Sequence, residues 1–148
     1  MAERMWRRNR IRLEDGIFFA DDTWIPLTMN DEGSMVAGER LALEQILEDN
    51  PDGWAEADPA PGCEAVSGTL RAVGGGGAWE GEGFVALLEG GSGKLVWLLH
   101  LSAAERFRSM EIRGDVLVAV SEEPPNRLEW TIPLTEPERI SAIPGGTS

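Results

Sequence analysis

Leu128-Glu129-Trp130-Thr131-Ile132-Pro133-Leu134 is the stretch on which the fold turns. Leu128, Trp130, Ile132 and Leu134 alternate with Glu129, Thr131 and Pro133, a period of two that puts the large apolar side chains on one face of a strand. Upstream, Met110–Arg113 meets Val116–Val120 across Gly114-Asp115, the signature of a two-residue hairpin loop. Leu95-Val96-Trp97-Leu98-Leu99-His100-Leu101 is apolar at both parities, as in a central strand covered on both faces. Further back, Val66, Gly68, Leu70 and Ala72 alternate with their neighbours, and Ala78–Leu88 reads as another strand, with Gly74–Gly77 as a hairpin tip before it. Ile140–Ile143 is a short last strand, and 122–126, with Pro124-Pro125, is a loop.

The first 63 residues read differently. Ile17–Ala20 and Thr23–Met29 form a hairpin across Asp21-Asp22, and Pro26, lacking an N–H, marks the second strand as an edge. Val36, Leu43, Ile46 and Leu47 share a helical face, which predicts one main helix over 36–49, stopped at Asn50-Pro51-Asp52-Gly53. Residues 50–63, with three prolines and two glycines, read as a long irregular loop carrying Trp54. The predicted fold is α+β, mostly β. It is a curved antiparallel sheet or partly closed barrel of about six to nine strands packed on one helix. The expected organisation is one domain over 1–148: a basic segment 1–12, an acidic hairpin–helix–loop part 13–63, an antiparallel meander 64–143 and a tail 144–148.

Charge is the strongest chemical statement. The chain of 148 residues carries 26 acids against 13 bases, a net −13. Residues 1–12 hold five arginines and one acid, whereas 14–58 hold 13 acids and only Arg40 as a base. Such a balance argues against phosphate contacts to nucleic acid and against an anionic membrane surface. It suits a basic protein partner. One cysteine, Cys63, forms no internal disulfide, the basic N-terminus lacks the apolar stretch of a secretory signal, and a cytoplasmic location is expected.

Sites for small-molecule chemistry are weak. His100 is the only histidine, so a zinc cluster is not expected, and the plain reading is a core histidine bonded to backbone. Asp49–Gly53 starts like a calcium loop but has Ala60 where the closing glutamate belongs. Gly81-x-Gly83-x-x-Ala86 is followed by strand-like sequence, and Gly93-Lys94 lacks the other P-loop positions. Glu80/Glu82 and Glu122/Glu123 are carboxylate pairs in sequence only. No cofactor, metal or catalytic residue is expected. The candidate partner surface is Asp21, Asp22, Asp31, Glu32, Asp49, Asp52, Glu56 and Asp58, with Trp24 and Trp54 as apolar anchors.

Residues 95–143 run LVWLLHLSAAERFRSMEIRGDVLVAVSEEPPNRLEWTIPLTEPERISAI. A Trp-bearing strand, a Ser-x-x-x-x-Phe loop, a short hairpin and an alternating Trp strand ending near Pro-Glu resemble small bacterial immunity proteins, the antidotes of polymorphic or contact-dependent toxins. The resemblance covers the last third of the chain. It implies a non-enzymatic cytoplasmic inhibitor that binds one basic toxin domain, of nuclease or nucleic-acid-modifying type, and blocks its active site. Two other expectations compete with it: a β-barrel-like module holding a small apolar ligand between sheet and helix, which an inward-facing cavity lined by Trp79, Trp97 and Trp130 would favour, and, ranked third, an enzyme working through carboxylates.

Overall fold

The computed structural model describes residues 1–31, 34–77, 82–121 and 127–144. In chain order these form α1 (Ala2–Arg7), β1 (Arg10–Arg12), β2 (Gly16–Phe19), β3 (Thr23–Met29), β4 (Met35–Ala37), β5 (Leu41–Ala42), α2 (Leu43–Asp49), β6 (Trp54–Glu56), β7 (Asp58–Ser67), β8 (Leu70–Gly76), β9 (Gly83–Glu89), β10 (Leu95–Leu101), β11 (Phe107–Arg113), β12 (Val116–Ser121), β13 (Leu128–Pro133) and β14 (Ser141–Pro144). All strand pairs are antiparallel, and the class is α+β, mostly β, without a closed barrel.

Instead of one sheet on one helix there are three sheets. The largest has eight strands in the order β4-β3-β2-β10-β9-β8-β7, with β5 also on β3. A four-stranded sheet, β11-β12-β13-β14, packs on one face of it, and a β1–β6 ribbon lies in the layer on the other. Strand alternation explains the layering. In β10, Trp97, Leu99 and Leu101 join Ile17, Val85, Phe107, Leu117, Trp130 and Ile132 in the core between the sheets. Leu98 faces the other way, with Phe18, Trp24, Phe84 and Ala86, beneath Ala2, Ile11 and Leu43. The central-strand reading of 95–101 therefore holds, as do both hairpins and the 128–134 strand. No helix among the described residues is long and apolar enough to cross a membrane.

Several expectations need correction. The helix starts at Leu43, not Val36, because Met35–Ala37 and Leu41–Ala42 pair with β3. Val36 is exposed, so its place in the helical pattern was coincidental. β3 is consequently not an edge. Its Pro26 falls between the partners β5 and β4, where no strand N–H is required, and its carbonyl accepts from Gly38 N at 2.8 Å. The 50–63 loop is mostly strand. β6 pairs with β1, and β7 is one edge of the eight-stranded sheet, where Pro59 and Pro61 are tolerated beside a bulge between Pro59 and Glu64. Gly74–Gly76 is no hairpin tip but buried strand. The strand expected from Ala78 begins at Gly83. Residues 78–81 with Trp79, the 122–126 loop, and 145–148 lie outside the described residues.

Candidate functional site

The acidic third divides into carboxylates that are engaged and carboxylates that are free. Asp21 and Asp22 occupy the β2–β3 turn, Asp22 at φ 63°. Asp22 accepts from the Met1 amino group at 2.7 and 2.9 Å and from Ala2 N at 3.1 Å. Burial pushes its pKa up, but those donors outweigh it and the net direction is down. Asp21 accepts from the Thr23 hydroxyl at 2.5 Å, the first cause of its lowered pKa, and from Arg40 at 3.3 Å. Asp58 accepts from Arg106 at 2.7 Å. By contrast, Asp49, Asp52 and Glu56, with Glu44 and Glu48 beside them, are exposed on the continuous run α2–loop–β6 and have no ion pair among the described residues. Asp31 is exposed beyond the far end of β3, about 23 Å of strand away from the Asp21–Asp22 turn at ~3.3 Å per residue. Glu32 lies outside the described residues.

The two tryptophans separate as well. Trp24 is 7% exposed and stacks on Phe18, centroids 5.4 Å apart and planes 2° from parallel. It belongs to the core and presents no anchor, which corrects its place in the expected surface. Trp54 is half-buried on β6, opposite Arg12 in the β1–β6 ribbon, with the Arg12 guanidinium 4.8 Å from its ring centre.

Arg12 is the residue the sequence reading missed. Counted among the basic N-terminal residues, it is wholly buried. Its Nε and Nη2 donate to the two oxygens of Glu14 at 2.7 and 2.6 Å, and Nη2 also donates to the Asn50 carbonyl at 3.1 Å. Gly53 leaves room for it: a Cβ there would stand 2.6 Å from Nη2. Arg12 thus fixes both the 50–53 loop and Trp54, the apolar element among the free acids. The available signal was Arg12-x-Glu14, since residues two apart on extended chain share a side.

On the same face of β10, His100 is fully buried. Its Nδ1 lies 3.1 Å from the Glu14 carbonyl and 3.4 Å from Asp15 Oδ1. Both are acceptors, so Nδ1 is assigned the hydrogen. Asp15 also accepts from Ser102 N and Oγ, each at 2.7 Å. These are the residue types of a hydrolytic triad in the wrong order: Ser102 Oγ bonds to Asp15, while His100 Nε2 faces Glu82 at 3.8 Å. Cys63 is across the sheet in the other core cluster, its thiol pushed up to about 11 by burial. The core-histidine geometry expected from sequence is the one observed.

Burial pushes the Asp15 carboxyl up, but the bonds from His100 and Ser102 more than compensate and the pKa ends below the ordinary 3.8. Asp15 therefore adds stability above that value, and the contribution is lost as pH falls through its folded pKa. We expect Asp15→Asn to flatten the stability profile below about pH 4. Urea titrations of both proteins between pH 2 and 7 check this, and parallel profiles would refute it.

Of the three tryptophans expected to line a ligand cavity, Trp79 lies outside the described residues. Trp97 and Trp130 are buried, with ring N–H groups donating to the Leu134 carbonyl at 3.0 Å and Ser121 Oγ at 2.8 Å. Glu80, Glu122 and Glu123 lie outside the described residues. Among the described residues, no group of three or more His, Cys, Asp or Glu is placed to hold a metal ion. No family model, curated protein or solved structure matches the chain.

Proposed function

We propose that this chain is an acidic protein inhibitor of the immunity-protein kind, binding a basic, nucleic-acid-targeting toxin domain through the α2–loop–β6 surface. The observation that carries the reading is the run of exposed carboxylates Glu44, Glu48, Asp49, Asp52 and Glu56, without ion pairs among the described residues, on the same α2–loop–β6 segment as half-buried Trp54; buried Arg12 bonds the Asn50 carbonyl of that loop and lies over the Trp54 ring. Charges held without partners repel one another, and a cationic surface relieves that repulsion. Asp21, Asp22 and Asp58 contribute less, because each already has an internal donor.

The experiment uses the toxin domain expected from the reading frame beside this one, purified and assayed for inhibition. Neutralising Asp49, Asp52 and Glu56 together is expected to slow association about tenfold at low salt, with the difference shrinking as salt screens the charges. Trp54→Ala is expected to weaken affinity by ~2 kcal/mol, chiefly through faster dissociation. If neither variant changes binding, or the chain does not inhibit that domain, the reading fails.

A further inference from the structure

Two buried acceptors face each other at the end of β10. His100 Nε2 and Glu82 Oε2 stand 3.8 Å apart, and neither has a hydrogen-bond partner among the described residues. With the ring hydrogen on Nδ1, directed to the Glu14 carbonyl, Nε2 offers only a lone pair, and an ionised Glu82 offers only acceptors. Two acceptors buried against each other are both unsatisfied, and a single proton between them makes one charge-assisted bond of the pair. Asp15 lies on the other side of the ring, 3.4 Å from Nδ1, so an imidazolium formed here is bracketed by two carboxylates. The cations of the adjoining segments are engaged elsewhere, Arg12 with Glu14 and Arg106 with Asp58.

Glu82 also adjoins a strained turn. A Cβ on Gly77 would collide with Glu82 Oε2, and one on Gly83, the residue after Glu82, with the Glu105 carbonyl oxygen. Glu105 follows the short 3-10 helix Ser102–Ala104 and has φ 60° and ψ −175°, a backbone region that is essentially glycine's alone. Such a conformation persists only where its surroundings hold it. Here they are the close approach of Gly83 on one side and the Ser102–Asp15 bonds on the other, and both adjoin the His100–Glu82 pair.

We propose that His100 and Glu82 form a proton-operated latch: one proton shared between Nε2 and Oε2 holds Glu82 against the end of β10, and its loss frees Glu82 and lets the 102–106 turn relax. The latched form holds that proton, whereas in the released form both groups are in water and share none. Release therefore grows as pH rises through the histidine range, about 5 to 8. Asp15 is ionised throughout that range, because its pKa lies below 3.8, and both arginines keep their charge. The latch is thus separate from the loss of the Asp15 contribution in acid. The strain at Glu105 gives the released state its driving force, and the shared proton opposes it.

His100 is the only histidine of the chain, so its ring nitrogens are read without ambiguity by NMR. No toxin enters the experiment, and its result is independent of the inhibitor reading. As pH is lowered from about 8 to 5, the wild-type ring is expected to pass from the neutral Nδ1–H form to imidazolium. Over the same interval, amide exchange at Gly83 and 102–106, corrected for its intrinsic pH dependence, is expected to slow about tenfold. Glu82→Gln keeps the shape of the side chain and offers Nε2 an N–H at every pH. In that variant the ring is expected to stay neutral over the interval and the exchange to lose its pH dependence. The wild-type measurement decides the matter alone if the substitution disturbs the fold. A wild-type ring that stays neutral down to pH 5, exchange at these amides that ignores pH, or a folded Glu82→Gln protein that titrates as the wild type does would overturn the proposal.

Discussion

Gly75→Ala is expected to destabilise the fold by about 3 kcal/mol, lowering Tm by roughly 6–12 °C for a chain of this size. Gly75 sits in β8 opposite Pro59 of β7 and Phe84 of β9. A Cβ there would lie 2.3 Å from the Asp58 carbonyl oxygen, 2.6 Å from Ala60 N and 2.8 Å from Pro59 Cα. All three are backbone atoms, so no rotamer change relieves the clash. The strand itself must move, and with it the β7 edge that packs against β11. Gly91→Ala is the control: nothing lies within 4 Å of its Cβ, and the change should stay within ~0.5 kcal/mol. Thermal melts of the two variants decide the point. Coincident curves for Gly75→Ala and wild type would mean that β7 does not lie this close to β8.

That glycine run also shows where sequence stops being informative. Four consecutive glycines fit a turn or a close backbone approach equally well, and only the position of β7 separates the two. β7 was itself obscured by Pro59, Pro61 and Gly62, which imitate loop composition but are tolerated at a sheet edge with a bulge. The alternating strands were legible because burial on one face writes period two directly into the residues, as in 128–134 and 95–101. Even there the number of layers was hidden. Leu98 and Leu99 are equally apolar, yet they serve different cores on opposite faces of one strand. The acidic surface was legible as composition, but which carboxylates are free depends on Arg40, Arg106 and the Met1 amino group, partners 19, 48 and 21 positions distant in the chain. Trp24 and Trp54 carried the same signal, an aromatic among acids, and only packing separated the core ring from the half-buried one.

Glu14→Ala is expected to cost more than any single surface change, about 3–5 kcal/mol, because it strands a buried cation. Arg12 is wholly buried, and Glu14 supplies both oxygens of its bidentate pair. Without Glu14 the guanidinium keeps only the Asn50 carbonyl and the face of Trp54, while Nη1 already has no hydrogen-bond partner among the described residues. Removing both charges differs from removing one. Arg12→Met/Glu14→Leu fills similar volume with apolar groups and is expected to recover most of the loss. Urea unfolding of the two variants separates these effects, and a Glu14→Ala cost under about 1 kcal/mol would mean that the guanidinium is solvated. The double variant then asks why a buried ion pair is present at all. Leu13 N bonds to the Gly53 carbonyl at 3.1 Å, so the loop stays near β1, but the clamp on Asn50 and Trp54 is gone. Stability should return while amide exchange in 50–54 quickens. That outcome would assign Arg12 to fixing the 50–54 loop, the surface proposed to meet the partner, whereas unchanged exchange would reduce the pair to a packing element.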